Sequence, residues 1–210
     1  SIAERAGSML KKTVLELGGS DPYLVLEDAD LELAARTCAA SRLMNNGQTC
    51  IAAKGIIVVQ KVCDSFVDLF LHEMARANMT DPMQADCALG PLAREDLRRD
   101  LHGQVERSIE QGAKPLLGGY IPEGPGFWYP STVLSGVRPG MPAFEEELFG
   151  PAAAVISAGD EKEAIELANR SRFGLGSAVF TRDIQRGARI ASKEICLLYT
   201  SDAADDLLCV

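Results

Sequence analysis

The sequence predicts an α/β domain with a mostly parallel sheet and helices on both faces. Short β-rich runs alternate with amphipathic helical stretches through residues 1–195, and residues 55–60 form a continuous apolar run. Such a run is typical of a strand buried on both faces, and alternating strands and helices favour parallel pairing. The length of 210 residues is sufficient for a sizeable core.

The elements follow from periodicity and turn residues. Gly18 and Gly19 end the first predicted strand, and Asp28 and Asp30 suit the start of the following helix. A Pro/Gly/aromatic loop is predicted over residues 122–130. We predict strands over residues 14–17, 23–26, 55–60, 114–117, 132–134, 152–156 and 177–181. We predict helices over residues 1–10, 92–111, 160–169 and 183–190, one from Asp30 to residues 45–47, and one through residues 66–75.

Composition excludes several classes of protein. With 21 basic and 30 acidic residues the net charge is −9, which argues against a nucleic-acid partner. No apolar run approaches the ~20 residues that a membrane-spanning helix needs, so we expect no membrane partner. The six Cys residues contain no C-x-x-C pair and no metal-binding spacing. We therefore expect reduced thiols in the cytoplasm and no metal site.

The last fifteen residues differ from the rest of the chain. Residues 196–210 carry three Asp and no basic residue, and their first ten residues match the translation of a sequencing adapter. We interpret them as a non-native tail produced by read-through at about Ile195. The alternative is a genuine acidic tail.

Two segments contain side chains that could take part in covalent chemistry. Glu16 ends an apolar run before Gly18 and Gly19, where burial would make it a usable general base; the alternative, which spacing alone favours, is a Glu exposed to water. Cys50 follows Asn46-Gly47-Gln48-Thr49, and backbone N–H groups in such a loop could activate the thiol and stabilise an oxyanion. The alternative for Cys50 is an inert buried thiol.

A third segment, residues 144–151, contains three successive Glu residues before an apolar pair and Gly-Pro. One of these carboxylates could bind the two vicinal hydroxyls of a sugar, and the neighbouring aromatic ring could restrict a ligand ring. The alternative is a solvated helix start, where acidic residues suit the helix dipole.

Taken together, these motifs resemble the aldehyde dehydrogenase superfamily in order and separation. Leu-Glu-Leu-Gly-Gly-Ser-Asp-Pro at 15–22 is similar to its glutamate signature, and Asn-Asn-Gly-Gln-Thr-Cys at 45–50 to its cysteine signature. Glu-Glu-Leu-Phe-Gly-Pro at 146–151 is similar to its cofactor-positioning motif, and residues 169–183 resemble the conserved segment that follows. Details such as Cys-Ile-Ala-Ala-Lys at 50–54 and residues 88–94 are most similar to bacterial succinate-semialdehyde dehydrogenases.

The resemblance implies a role for five residues. Cys50 would attack the aldehyde carbon and Glu16 would activate water to release the acid. Glu147 would bind the ribose of NAD or NADP, Phe149 would pack against the cofactor, and the Leu17 backbone would contact the nicotinamide amide. The resemblance also implies a small-molecule aldehyde substrate, namely succinate semialdehyde. It further implies that the parent protein is a homo-oligomer.

The resemblance also implies a domain division. Residues 1–18 would be the end of a Rossmann-type dinucleotide-binding domain, and residues 19–195 a catalytic thiol domain. An oxyanion Asn and most of the Gly-rich cofactor domain are expected before Ser1, so we expect the 210-residue chain to be inactive alone. Gly55 stands where relatives often carry Arg. Two alternatives stay open: an aldehyde dehydrogenase of broad substrate range, and a degenerate non-catalytic homologue.

Overall fold

A computed structural model describes residues 1–195 as a six-stranded sheet covered by helices. The predicted tail at 196–210 lies outside the described residues. The strands are β1 Asp21–Val25, β2 Ala53–Val59, β3 Lys114–Leu117, β4 Thr132–Ser135, β5 Ala152–Ala158 and β6 Ala178–Phe180. The helices are α1 Ile2–Ser8, α2 Leu31–Leu43, α3 Gln60–Ala75, α4 Glu95–Glu110, α5 Pro142–Glu145, α6 Glu161–Ala168 and α7 Ile184–Arg189. A 3₁₀ turn spans Met44–Gly47 and a π turn spans Ile190–Glu194.

The sheet has the order β3-β4-β5-β2-β1-β6 and confirms the predicted α/β class. Only the pairing of β3 with β4 is antiparallel; the other four pairs are parallel. In the centre, Ile57 of β2 lies beside Leu24 of β1 and Ile156 of β5. Apolar side chains on both faces of these strands explain why the sequence there reads as a continuous apolar run.

Helices cover the two faces of the sheet with separate sets of apolar side chains. On one face, α2 and α3 pack Cys38, Phe66 and Phe70 against Val58 and neighbouring strand residues. On the other face, α4, α5 and α6 contribute a second core that contains Leu101. This division follows from the alternation of side chains along each strand.

The predicted strand at 14–17 is wrong. Residues 9–20 form no helix or strand, and Val14 and Leu17 are largely exposed. Within the described residues no strand lies beside this segment, and an extended run cannot form a sheet ladder without a partner. The short helix α5, which the sequence analysis did not predict, is only four residues long.

The segments that carry the predicted motifs all precede parallel strands. Gly18 and Gly19 come just before β1, Cys50 before β2, residues 147–151 before β5, and Gly176 before β6. Because parallel strands start at the same edge of a sheet, four segments distant in sequence meet there. Among the described residues, no helix combines the length and apolar character needed to span a bilayer.

Candidate active site

The cysteine loop, residues 44–52, contains three consecutive residues in the left-handed region of backbone conformation. After α2, Asn45, Asn46 and Gly47 have φ values of 50°, 56° and 73°. Asn and Gly are the residues that adopt this conformation at least cost. The chain therefore reverses direction within a few residues, and Cys50 lies partly exposed in the turn that leads into β2.

Gly47 allows the cysteine loop to contact Gly150, in the Gly-Pro pair that ends residues 144–151. A Cβ atom on Gly47 would overlap the carbonyl oxygen of Gly150, so the close approach of these two backbones requires glycine. On its other side, the carbonyl of Gly47 accepts a 2.7 Å hydrogen bond from Nη2 of Arg42. Arg42 is fully buried, and this burial lowers the pKa of its guanidinium.

A buried lysine donates hydrogen bonds to three backbone carbonyls of the cysteine loop. Lys54 is 1% exposed, and its Nζ donates to the carbonyls of Thr49, Cys50 and Ala52 at 3.2, 2.7 and 3.3 Å. The same Nζ lies 3.5 Å from Oε1 of Glu147. Desolvation, with a further contribution from Arg42, lowers the pKa of Lys54, whereas Glu147 opposes that shift.

The sequence analysis quoted Lys54 only as part of a family-like detail and missed its role. A lysine next to a run of apolar strand residues was the available signal, since such a residue is rarely buried without partners. The partners themselves are carbonyls of neighbouring residues, which have no sequence signature.

The three consecutive glutamates have three different environments. Glu145 accepts a 2.8 Å hydrogen bond from the N–H of Gly140. Glu146 forms an ion pair with Arg107 at 3.1 Å and accepts a hydrogen bond from Gln104 at 3.0 Å. The alternative of a solvated helix start is wrong, because α5 ends at Glu145 and Glu146 is extended.

Glu147 is the carboxylate that faces the other motifs. It accepts a 3.1 Å hydrogen bond from the N–H of Gly19, and 22% of its side chain is exposed. Gly18 has φ +84°, and a Cβ atom there would overlap Oε2 of Glu147. Gln104 fixes the Glu147 backbone by donating to its carbonyl at 3.1 Å. The Gly18–Gly19 turn therefore packs directly against this carboxylate.

Glu16 and Leu17 lie on the rim of an open groove of about 390 Å³. Both residues are exposed, so the burial that the sequence analysis considered for Glu16 is not present in this structure. Within residues 1–195, no hydrogen bond or ion pair to the Glu16 carboxylate is formed. Arg172, Phe173 and Leu175 line the opposite wall of the groove.

Gly19 connects this groove to the cysteine. A Cβ atom on Gly19 would lie 2.8 Å from the carbonyl oxygen of Cys50 and 2.7 Å from Cδ1 of Leu175. The structure thus brings Cys50, Glu147 and the Gly18–Gly19 turn together, while Glu16 is three residues away along the groove. Phe149 is half-buried two residues after Glu147.

Asp21 is a third buried ionisable residue, after Arg42 and Lys54, that the sequence analysis missed. It is 4% exposed, and its Oδ1 accepts a 3.0 Å hydrogen bond from the N–H of Gly176. Burial raises the pKa of Asp21, opposed by the Gly176 hydrogen bond and by Lys54. Asp21 therefore links the first motif to the segment before β6.

Two side chains of the cysteine motif attach it to residues 88–94. Asn46 accepts a 3.1 Å hydrogen bond from the N–H of Gly90 and donates to the carbonyl of Pro91 at 3.3 Å. Oε1 of Gln48 accepts from the N–H of Ala93 at 2.9 Å. The polar residues before Cys50 thus hold a neighbouring loop.

The other cysteines of the described residues differ from Cys50. Cys38 and Cys63 are buried on α2 and α3, and burial raises the pKa of both thiols. Cys87 donates to the carbonyl of Thr80 at 3.2 Å. Gly55, in β2, has room for a Cβ atom, which would meet only Cδ1 of Ile156 at 3.5 Å.

Comparison with known proteins places this geometry in a family. The aldehyde dehydrogenase family model matches residues 1–196. The chain is 49% identical over 196 residues to the succinate semialdehyde dehydrogenase [NAD(P)+] Sad of Escherichia coli, covering 93% of this chain and 42% of that protein. It is 47% identical over 193 residues to the succinate-semialdehyde dehydrogenase [NADP(+)] of Deinococcus radiodurans, covering 92% of this chain and 40% of that protein.

Solved structures agree with the sequence comparison. The crystal structure of lactaldehyde dehydrogenase from Escherichia coli superimposes with a TM-score of 0.89 at 37% identity, covering 92% of this chain and 41% of that chain. The chain therefore spans about two fifths of the length of the relatives it matches. Both comparisons lead to one assignment: this chain belongs to the aldehyde dehydrogenase family.

Proposed function

We propose that the complete protein oxidises an aldehyde, with succinate semialdehyde as the substrate, to its carboxylic acid with NAD or NADP. The observation that carries this proposal is the position of Cys50: partly exposed, on a loop fixed by Lys54, next to Gly19 and the Glu147 carboxylate. The names of the two relatives above support the substrate and the cofactor.

Cys50 performs the first step of the proposed reaction. Its thiolate sulfur adds to the aldehyde carbon, and the carbonyl π electrons move to the oxygen, which gives a thiohemiacetal. The backbone N–H of Cys50 is available to stabilise that oxyanion. A cysteine suits both halves of the reaction because its sulfur is a good nucleophile and a good leaving group.

Glu16 acts in the second half of the reaction. A bound dinucleotide would supply the hydride acceptor that the conversion of the Cys50 thiohemiacetal to a thioester requires. Glu16 then takes a proton from water, and the resulting hydroxide attacks the thioester carbon. The carbon–sulfur bond breaks, the acid leaves, and the Cys50 thiolate is restored. The exposed position of Glu16 on the groove gives it access to water.

Three residues of this chain would hold the nicotinamide half of the cofactor. The Glu147 carboxylate fits a ribose, because two carboxylate oxygens match two vicinal hydroxyls and 22% of the side chain is exposed. Phe149 would pack against the cofactor, and the exposed Leu17 backbone would contact the nicotinamide amide.

We further propose the domain division at residue 18, with residues 19–195 as the catalytic domain. Two observations support this boundary: residues 9–17 are exposed, and no residue of α1 is buried. We also propose a reducing cytoplasmic location, because Cys38, Cys50, Cys63 and Cys87 are all free thiols. The parent protein is proposed to be a homo-oligomer, with an aldehyde as its small-molecule partner.

Selective alkylation of the 210-residue chain tests whether Cys50 is the reactive thiol. We expect iodoacetamide to modify Cys50 first, and Cys38 at least about tenfold more slowly, because burial disfavours the Cys38 thiolate. Peptide mass spectrometry over a time course measures both rates. Equal rates in the folded chain would contradict the assignment of Cys50 as the nucleophile.

A complete parent enzyme provides the second test. Cys50→Ala should abolish aldehyde oxidation, whereas Cys63→Ala, which removes a buried thiol on α3, should leave it largely intact. Turnover that is unchanged in Cys50→Ala would favour the alternative of a different nucleophile. An inactive but folded wild-type parent would favour the degenerate homologue.

A further inference from the structure

We propose that Lys54 is a positioning residue for the covalent step, aiming and strengthening two backbone N–H donors at Cys50. This inference rests on the proposed function, because it assigns Lys54 a task in the addition of Cys50 to an aldehyde. It concerns the peptide groups of the cysteine loop and involves no direct contact between Lys54 and the substrate.

The first step of the argument is that the Lys54 ammonium uses all its donors on the loop. An ammonium has three N–H donors, and three carbonyls, those of Thr49, Cys50 and Ala52, lie within 3.3 Å of Nζ. Its side chain is 1% exposed, so water does not compete for these bonds. Glu147, at 3.5 Å, supplies the compensating negative charge.

The second step concerns the direction of the N–H groups. No peptide bond among the described residues is cis. In a trans peptide, the carbonyl and the N–H point in opposite directions. The Thr49 carbonyl shares its peptide with the Cys50 N–H, and the Cys50 carbonyl shares its peptide with the Ile51 N–H. With both oxygens bound to Lys54, both N–H groups point away from the lysine.

The third step is that these two donors are available. The N–H groups of Cys50 and Ile51 donate to no acceptor within residues 1–195, whereas the next two, those of Ala52 and Ala53, bond to Thr49 and Ser41. A cation at the oxygen end of a peptide polarises it and makes its N–H a stronger donor. Lys54 thus strengthens the two unused donors that flank the Cys50 side chain.

A negatively charged oxygen is what such donors stabilise. When the Cys50 sulfur forms its bond to the aldehyde carbon, the carbonyl π pair moves to oxygen and creates that charge. Removal of the Lys54 ammonium should weaken both donors and also loosen the loop. The effect should therefore fall on formation of the Cys50 adduct, before any hydride transfer.

Adduct formation can be measured on the 210-residue chain without a dinucleotide. Succinate semialdehyde labelled with ¹³C at the aldehyde carbon is added to the chain, and NMR quantifies the tetrahedral carbon bound to sulfur. Cys50→Ser identifies the signal that belongs to position 50. We compare wild type with Lys54→Met, Lys54→Arg and the control Lys61→Met, which removes an exposed lysine of α3.

We expect Lys54→Met to reduce the adduct equilibrium constant about threefold to tenfold, because weakening both donors together should cost about as much as the net contribution of one hydrogen bond. Lys61→Met should match wild type, and Lys54→Arg should recover part of the loss because it keeps the charge and the donors. A folded Lys54→Met chain with wild-type adduct formation would overturn the proposal. Absence of the adduct in wild type and in the Lys61 control would instead contradict the proposed function itself.

A measurement that keeps Lys54 in place covers the case in which Lys54→Met does not fold, as judged by circular dichroism. In a Cys50→Ser chain, which has no thiol at this position, amide ¹⁵N and ¹H shifts are followed with pH alongside the Lys54 side-chain ¹⁵N. We expect the position-50 and Ile51 amides to shift together with the Lys54 titration, and the Ala75 amide to remain unchanged. The proposal would be overturned if the amide shifts of position 50 and Ile51 did not change as Lys54 titrates.

Discussion

Gly47 illustrates how a single backbone position assembles two motifs. Its positive φ allows the chain reversal after α2, and its missing side chain allows contact with Gly150. These are separate requirements, because a residue such as Asn could meet the first but not the second. Arg42 then fixes the Gly47 carbonyl from the buried side.

Substitution of Gly47 by Ala should reveal both requirements. We expect Gly47→Ala to lower the free energy of unfolding by more than about 2 kcal/mol, because left-handed strain of about 1–2 kcal/mol adds to the overlap with Gly150. Gly136→Ala is the matched control: φ is +66° and nothing lies within 4 Å of its added Cβ. Gly136→Ala should lower the free energy of unfolding only by the backbone strain of about 1–2 kcal/mol. Equal losses in urea unfolding would show that the Gly150 contact contributes nothing.

Asp21 should make the stability of the chain depend on pH in an unusual direction. Because burial raises its folded pKa above 3.8, the folded state holds this proton more tightly than the unfolded state. Its contribution to stability therefore decreases as the pH rises from about 3.8 through the folded pKa. Asp21→Asn keeps an oxygen for the Gly176 N–H and removes the titration.

We therefore expect the stability of Asp21→Asn relative to wild type to increase between about pH 4 and about pH 7. Urea unfolding at both pH values measures this difference, and Asp183→Asn, at the exposed start of α7, serves as the control. A relative stability that decreases over the same interval would mean that Lys54 dominates the Asp21 site.

Among the elements, the cysteine loop behaves as a connector between α2, β2 and the long segment that precedes α4. Asn46 and Gln48 bond the backbone of Gly90, Pro91 and Ala93, a segment with no helix or strand of its own. The order of that segment thus depends on side chains from the cysteine motif.

Asn46→Ala should accelerate amide hydrogen exchange in the peptide that contains residues 86–94. The Gly90 N–H loses its acceptor in this variant, and we expect its protection to fall about fivefold or more, equivalent to the loss of one hydrogen bond. Asn45→Ala is matched, since Asn45 also has positive φ but bonds only within its own loop. Equal acceleration in both variants would attribute the effect to backbone strain alone.

For the whole molecule, the decisive feature is that the motifs lie at the edge where the parallel strands begin. The sheet order β5-β2-β1-β6 places the segments before these four strands side by side, although Gly18 and Gly176 are far apart in sequence. The two helical layers on either face keep the strands, and hence the motif segments, in fixed register.

The isolated 210-residue chain should nevertheless show no steady production of NADH or NADPH with an aldehyde. The cofactor contacts proposed for residues 1–195, from Glu147, Phe149 and the Leu17 backbone, involve the nicotinamide half alone. A spectrophotometric assay of the purified chain, with a complete parent enzyme as the positive control, measures this. Sustained turnover by the chain alone would contradict the expectation.

The amino-acid sequence alone determined the α/β class, the strands and helices with strong periodicity, and the motifs at Cys50, Glu16 and Glu147. These are local patterns, so neighbouring residues suffice to define them. It did not reveal the missing strand at 14–17, because an isolated extended run looks the same whether or not a partner strand lies beside it. Here the apolar pattern was present, but no strand of residues 1–195 lies beside it.

Tertiary structure alone decided which groups act on one another. That Glu147 rather than Glu145 or Glu146 faces the glycine turn depends on the path of the chain after α5 and on Gln104 and Arg107 of α4. The hydrogen bonds from Lys54 to the carbonyls around Cys50 are likewise invisible in sequence, because carbonyl oxygens belong to every residue. Hydrophobic periodicity is a local property of the sequence, whereas contacts between distant segments exist only after the sheet has formed.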